Sequence, residues 1–296
     1  MSAASLLLAL VSVSGAVLPA QKLERIKPSE ADPRIHNYDE PNLILRPAAM
    51  DSVAPLMVFM PGTNGSPMGG LAVLQTMAKQ GYRAIGLEYD DSPAVIQVCP
   101  ATRREDCAAK FREMRIWGTG GSPDVHNPVE ESIAARLIAL LDTLAKRHPT
   151  ENWGAYLTDS HGLNWSRIAV SGLSQGAGMA AFIAKKESVP RVVLFSCPID
   201  GLGTLQDIRL APWLGWPSAT PADRWYAERN AREPFNDALM VSYPKLGIPK
   251  DHTLVFNLDL PPGFDRRNPM AYHGVTIRDE RYLPQWKFMI GDATSP

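Results

Sequence analysis

The feature that most constrains the fold of this 296-residue chain is the alternation of short apolar runs with amphipathic stretches. Short runs rich in Val, Ile and Leu predict buried strands, and apolar residues spaced three or four apart predict helices between them. Strands that alternate with helices form βαβ units, so we expect a mostly parallel sheet with helices on both faces. Strands are predicted over residues 42–45, 56–60, 83–87, 167–171, 192–196, 224–227 and 253–256.

The clearest helix is predicted over residues 129–148, where Ile133, Leu137, Leu140, Leu141 and Leu144 fall on one face before a proline. Other helices are predicted from residue 71, from 175 to 186, over 235–246 and over 280–288. The stretch between residues 92 and 121 is predicted to be a long polar excursion. In sheets of this kind ligands bind at the carboxyl ends of the strands, so the site is expected in the loops that follow them.

The length and charge of the chain limit the number of domains and the classes of partner that we expect. A chain of 296 residues lies near the upper limit for one hydrophobic core, so one large domain is expected. A net charge of -1 provides no field that would favour nucleic acid or an anionic membrane. We therefore expect a small or neutral partner and no binding of nucleic acid.

The amino terminus resembles a secretion signal. Residues 5–18 are apolar and uncharged, and small residues that suit a signal peptidase follow, although a basic start is absent. The run is shorter than the ~20 residues that span a bilayer, so no stable membrane insertion is expected after cleavage. We predict a signal peptide over residues 1–20, a domain over residues 21–296, and a secreted or periplasmic protein. An uncleaved anchor or a wrongly assigned start site are the alternatives.

The three cysteines agree with export. Cys99 and Cys107 flank a short polar segment, a spacing that suits a local disulfide in an oxidising compartment. The alternative is two unrelated thiols. Cys197 then remains unpaired in a strand-like run, where we expect it to be buried and inert.

The sequence Gly-Leu-Ser-Gln-Gly over residues 172–176 carries the strongest chemical signal. Small residues two before and two after Ser174 allow a sharp turn that exposes the hydroxyl, with a strand just before it and a helix just after. In this context the chain resembles the α/β-hydrolase superfamily, and more narrowly its exported bacterial esterases without a large cap. The resemblance in element order runs from about residue 43 to the carboxyl terminus, and it implies that Ser174 is the nucleophile.

The resemblance also implies an acid after the second strand beyond the serine, followed by a histidine. Glu233 stands there before Pro-Phe, as an acid does in the family, although the family more often uses Asp. Asp237 and Asp200 are the rival acids, and a solvated surface charge is the plain alternative for Glu233. Only His252 and His273 follow the expected acid, and His252 precedes its strand, so His273 is the predicted base.

Two backbone amides are expected to bind the oxyanion of the reaction. One is the amide of Gln175, next to the nucleophile. The other is assigned to Thr63, in the Pro-Gly-Thr-Asn-Gly loop over residues 61–65, which is similar to the His-Gly loop of the family with proline in place of histidine. A phosphate-binding loop is the alternative, but the Gly-Lys-Ser/Thr ending is missing.

These residues predict a serine esterase that cleaves carboxylic esters through an acyl-enzyme, acting on a small-molecule or oligomeric ester. A peptidase or acyltransferase with the same triad, or a catalytically silent binding protein, are the alternatives. No cofactor or metal motif is present, and an acidic run at residues 88–91 is expected to be a solvated loop. Trp117, Trp213 and Trp216 are candidates for the substrate-binding walls, or else ordinary packing residues.

Overall fold

The computed structural model describes residues 23–48, 54–205 and 207–293. The predicted signal peptide over residues 1–20 lies outside the described residues. The strands are β1 Glu24–Ile26, β2 Asn42–Leu45, β3 Leu56–Met60, β4 Arg83–Gly86, β5 Ile168–Leu173, β6 Val192–Phe195, β7 Gly201–Thr204, β8 Asp207–Leu210, β9 Trp225–Asn230 and β10 Thr253–Phe256. The helices are α1 Pro28–Ala31, α2 Leu71–Lys79, α3 Val95–Thr102, α4 Cys107–Trp117, α5 Ile133–Arg147, α6 Gln175–Lys186, α7 Asn236–Leu246, α8 Met270–Gly274 and α9 Leu283–Ile290.

Eight strands form one mixed sheet in the order β1-β2-β4-β3-β5-β6-β9-β10. The strands from β4 to β10 in this order are parallel, whereas β1 and β2 are antiparallel at one edge. All seven predicted strands lie in this sheet, and the short edge strand β1 is the one that the sequence did not predict. The central position of β5 brings its carboxyl end, and therefore the turn at Ser174, to the middle of the sheet edge.

The pleat of the strands divides the core into two layers. In β3, Met57 and Phe59 face a layer with α2 and α9, whereas Leu56, Val58 and Met60 face a layer that contains α4, α5 and α6. This alternation follows from the two-residue period of a strand, and every residue of β3 is buried because helices cover both faces. The layer of helices on both faces agrees with the predicted α/β architecture.

The predicted polar excursion is wrong, because α3 and α4 occupy it. The sequence of α4 hides its helix, since two of its buried positions are the charged residues Arg112 and Arg115, and they break the apolar face. The predicted disulfide is confirmed: Cys99 in α3 is bonded to Cys107 at the start of α4, with their Cα atoms 5.6 Å apart. Cys197 is buried and unpaired, as expected.

The connection from β6 to β9 holds the hairpin β7–β8 and short 3₁₀ turns, so the described residues include no large cap domain. The hairpin was not predicted, and the last helix begins at Leu283, a few residues later than expected. No helix in the described ranges is long and apolar enough to cross a membrane. Strand order, parallel pairing and the strand-turn-helix at Ser174 together confirm the α/β-hydrolase fold without a large cap.

Candidate active site

The turn between β5 and α6 holds Ser174 in a strained conformation. Its φ is 53° and its ψ is -119°, a region that non-glycine residues rarely adopt. The turn is fixed on both sides, because the Ser174 amide donates to the carbonyl of Phe195 at 2.9 Å and its carbonyl accepts from Gly178 at 3.0 Å. Strain held by flanking hydrogen bonds is typical of a nucleophile that must project from a sheet.

Both glycines of the turn are required by close backbone contacts. A Cβ atom on Gly172 would lie 2.4 Å from the carbonyl carbon of Gly176. A Cβ atom on Gly176 would lie 2.1 Å from the carbonyl oxygen of Met60, in the neighbouring strand β3. The Gly-x-Ser-x-Gly spacing therefore permits α6 to leave the sheet immediately after Ser174.

His273 and Glu233 are brought together from distant parts of the chain. Glu233 follows β9 and is buried, and its Oε2 lies 2.6 Å from Nδ1 of His273. Its other oxygen accepts hydrogen bonds from the amide of Asn230 at 2.8 Å and from the hydroxyl of Ser196 at 3.0 Å. The carboxylate is thus oriented by three donors, and a histidine that donates from Nδ1 leaves Nε2 as an acceptor.

Nε2 of His273 is buried and has no hydrogen-bond partner among the described residues. His273 lies in the short helix α8, which occupies part of the loop that the sequence predicted, and it lines the same cavity as Ser174. A histidine nitrogen without a partner, on a residue that lines the same cavity as a serine, suits general-base chemistry.

The structure places the rival residues elsewhere. Asp200 is buried and pairs with Arg112, while Asp237 is exposed near the start of α7. His252 stacks on Tyr226 with ring centroids 4.1 Å apart, at the amino end of β10. Among the candidate acids, Glu233 is therefore the one in contact with His273.

A second buried carboxyl group, Glu228 in β9, lies behind Glu233. Its Oε1 lies 3.2 Å from the hydroxyl of Ser196, which also contacts Glu233. Burial first, and then the charge of Glu233, raise the pKa of Glu228 well above the usual value for glutamate. Because burial disfavours the charged form, we expect Glu228 to keep its proton at a higher pH than a surface glutamate does.

The loop over residues 61–65, named here the oxyanion loop, is anchored by Asp91. The carboxylate of Asp91 accepts the amides of Asn64 at 3.0 Å and of Gly65 at 3.1 Å. Burial raises the pKa of Asp91 to about 6, against the two amide hydrogen bonds, which lower it. The amides of Thr63 and Gln175 have no acceptor in the described part of the chain, so both remain available to a ligand.

Two cavities open beside Ser174. The larger has a volume of about 310 Å³ and is lined by Thr63 and the rest of the oxyanion loop, by His273 and by Phe235. The smaller has a volume of about 30 Å³ and is lined by Gln175, Ile199 and the same Phe235. Side chains from α3 and α8 therefore form walls that the sequence did not assign.

The three tryptophans predicted as substrate walls lie around Phe182 of α6 instead. Its ring centroid is 6.1 Å from that of Trp117, 5.1 Å from that of Trp213 and 6.1 Å from that of Trp216. None of the three lines either cavity beside Ser174. Trp213 is buried in the hydrophobic layer that contains α6, and Trp117 packs against that layer.

The acidic run over residues 88–91 is not the solvated loop that the sequence predicted. Glu88 and Asp91 are buried, and Asp90 pairs with Arg115 of α4. The residues described in the structure contain no group of His, Cys, Asp and Glu side chains that could hold a metal ion. The sequence feature that could have indicated this burial is the position of the run, which follows β4 at the edge of the sheet where Ser174 also lies.

No protein-family model and no curated protein sequence matches this chain. Similar solved structures include a bacterial heroin esterase, with 13% identity, a TM-score of 0.47, and coverage of 94% of this chain and 85% of that one. A hyperthermophilic esterase from the archaeon Pyrobaculum calidifontis has 14% identity and a TM-score of 0.45, over 91% of this chain and 85% of that one. Esterase 2 from Thermogutta terrifontis has 14% identity and a TM-score of 0.41, over 91% of this chain and 94% of that one. Similarity this distant says nothing of the reaction, so the fold assignment rests on strand order and on the turn at Ser174.

Proposed function

We propose that the chain is a serine esterase that hydrolyses carboxylic esters through an acyl-enzyme, with Ser174, His273 and Glu233 as its triad. The observation that carries the proposal is the 2.6 Å contact of His273 Nδ1 with the buried Glu233, together with a cavity that both His273 and Ser174 line. This contact leaves Nε2 without a hydrogen-bond partner among the described residues, so that nitrogen is the one that can accept a serine proton.

In the proposed first step His273 takes the proton of Ser174 while the serine oxygen attacks the ester carbonyl. Glu233 keeps the ring in the tautomer that exposes Nε2 and stabilises the imidazolium that forms. The amides of Thr63 and Gln175 receive the oxyanion, and the position of the first depends on the hold of Asp91 on the oxyanion loop.

In the second step the imidazolium gives its proton to the leaving alcohol, and a water molecule activated by the same histidine hydrolyses the acyl-serine. Nothing in the triad selects esters over amides or thioesters, so the preference for esters rests on the resemblance of the sequence to esterases. We extend the proposal to export from the cytoplasm, which the Cys99–Cys107 disulfide supports.

The test is labelling with a fluorophosphonate probe, followed by hydrolysis of p-nitrophenyl esters. The wild type should form a covalent adduct at Ser174, whereas Ser174→Ala should form none and lose at least about 10⁴-fold in kcat/KM. Ser160→Ala, an exposed serine outside both cavities, is the matched control. An unlabelled wild type would refute the proposal and leave a silent binding protein.

The histidine assignment has its own matched pair. His273→Ala should lose activity to a similar extent, because the serine then has no general base. His252→Ala should keep it, because that ring packs at the amino end of β10. Equal activity in the two variants would contradict the proposed triad, and cleavage of peptides but not of esters would indicate a peptidase.

A further inference from the structure

The two cavities beside Ser174 differ in volume about tenfold, at about 30 Å³ and about 310 Å³. Ala94, Ile96, Ser174 and Phe235 line both, so the cavities meet at the nucleophile. An ester held at Ser174 has two arms, the acyl group and the alcohol. Because Ser174 lines both cavities, the smaller cavity can receive the smaller arm of such an ester and the larger cavity the larger arm.

The position of His273 decides which arm enters which cavity. His273 lines the larger cavity and is absent from the walls of the smaller one. The leaving oxygen takes its proton from this imidazole, so the alcohol has to lie on the side of His273. The acyl group is therefore left with the smaller cavity, on the side of Gln175.

A cavity of about 30 Å³ has room for roughly two groups of the size of water or methyl. We propose, on the basis of the esterase function proposed above, that the substrate is an ester of acetic acid or at most propionic acid with a much larger alcohol. The larger cavity, at about 310 Å³, lies at the lower end of the range for small-molecule sites.

The walls of the small cavity include a buried ion pair that resists displacement. Arg112 donates to Asp200 through Nε at 2.6 Å and through Nη2 at 2.5 Å, and both side chains are almost fully buried. Trp213 donates to the same carboxylate from Nε1 at 2.9 Å. Moving either charge to admit a longer chain would leave its partner unpaired away from water, which is strongly unfavourable.

The side wall is held in a comparable way. Val95, the first residue of α3, donates its amide to Oε1 of Gln175 at 3.3 Å, and the same helix is tied to α4 by the Cys99–Cys107 disulfide. Arg112 belongs to α4, so the two walls are covalently linked. The short acyl cavity is therefore built into the fold and does not depend on one flexible side chain.

The experiment measures kcat/KM for p-nitrophenyl acetate, propionate, butyrate and hexanoate, which vary the acyl arm and keep the leaving group constant. We expect acetate and propionate to exceed hexanoate by about 100-fold or more, because each methylene that does not fit costs at least tenfold. A parallel series of acetates, from ethyl to 2-naphthyl acetate in a pH-stat, should show no loss as the alcohol grows.

The outcomes separate the two proposals. Hydrolysis with a flat or rising profile towards hexanoate overturns the short-acyl proposal and leaves the esterase function intact. Absence of both hydrolysis and fluorophosphonate labelling overturns the esterase function and this proposal with it. A fall in rate with larger alcohols and not with longer acyl groups would show that the two arms are assigned the wrong way round.

A pair of variants tests the cavity itself. Ile199 lines only the small cavity, so Ile199→Ala should raise the butyrate-to-acetate ratio of kcat/KM at least about fivefold. Met270 lines only the large cavity, so Met270→Ala should leave this ratio unchanged. An unchanged ratio in folded Ile199→Ala refutes the assignment, and if that variant does not fold the wild-type profile decides alone.

Discussion

Replacing Glu228 by Gln is expected to stabilise the protein at neutral pH while leaving the proposed esterase activity nearly unchanged. The hydroxyl of Ser196 lies 3.0 Å from Glu233 and 3.2 Å from Glu228, but it has one proton to donate. In the proposed triad Glu233 is the carboxylate partner of His273, so we assign the hydrogen bond donated by Ser196 to Glu233. Glu228 must then carry a proton of its own and donate it to Ser196, and the side-chain amide introduced by Glu228→Gln would donate in the same way.

The magnitude follows from the linkage between protonation and folding. Burial and the charge of Glu233 raise the pKa of Glu228, so at a pH above 4.5, the ordinary glutamate value, the folded protein binds more protons than the unfolded chain. Stability contributed by this group is therefore complete at low pH and is lost as the pH rises, at about 1.4 kcal/mol per pH unit. Glutamine does not titrate, so the advantage of Glu228→Gln in the free energy of unfolding should grow steadily as the pH rises above 4.5.

Urea unfolding at pH 5, 6 and 7 measures this difference as the change in the free energy of unfolding at constant slope m. Glu88→Gln is a positive control for the method, since burial and then Asp91 raise the pKa of Glu88 to about 8. Glu233→Gln should instead lower kcat by about 10³- to 10⁴-fold, because an amide no longer fixes the tautomer of His273. Wild-type and Glu228→Gln free energies that stay parallel from pH 5 to pH 7 would refute the assignment of the proton, as would a kcat for Glu228→Gln as low as that of Glu233→Gln.

Three further changes test other parts of the site. Asp91→Asn should lower kcat about 10- to 100-fold in ester hydrolysis, since one amide oxygen cannot hold the oxyanion loop as two carboxylate oxygens do; unchanged kcat would contradict this. Gly176→Ala should cost about 3 kcal/mol or prevent folding, because its Cβ would lie 2.1 Å from the Met60 carbonyl, and melting by circular dichroism checks it against the wild type. Replacing Cys99 and Cys107 by Ala should lower the free energy of unfolding by about 2–3 kcal/mol in urea, and an equally stable variant would show that the disulfide constrains nothing.

The residues that follow strands could be predicted because their positions depend on local pattern. Ser174 comes directly after β5 and Glu233 shortly after β9. Both strands were detected from their apolar residues, although β9 continues through Glu228 to Asn230, beyond its predicted end at residue 227. His273 followed from the triad order that the resemblance to α/β-hydrolases implies, since the other histidine beyond Glu233, His252, precedes its strand. Chain order and strand ends thus predicted which side chains meet, although the catalytic roles stay with the proposed experiments.

The parts that could not be predicted are those where charged residues are buried. The helix α4 was predicted as loop because Arg112 and Arg115 occupy inward positions that a pattern of polar and apolar residues assigns to solvent. The tryptophans could not be assigned for the opposite reason, since Trp213 and its neighbours are large and apolar enough to suit either a pocket or a core. The structure agrees with the alternative that they are packing residues. Amino-acid composition distinguishes neither a buried arginine from a solvated one nor a tryptophan in a pocket from one in the core.

Each part of the candidate site is held by a buried ionisable residue whose partner is distant in the sequence. Asp91 holds the loop over residues 61–65 from 27 residues away, Glu228 and Ser196 are 32 residues apart next to Glu233, and Arg112 and Asp200 are 88 residues apart in the wall of the small cavity. A lone acidic residue is solvated by default, so its burial depends on a partner that only the folded topology supplies. Polar loops that must keep fixed amides and a fixed cavity need such partners, because apolar packing alone cannot orient a backbone N–H. Asp91 and Arg112, which the sequence pattern assigned to solvent, are for that reason residues on which the geometry of the site depends.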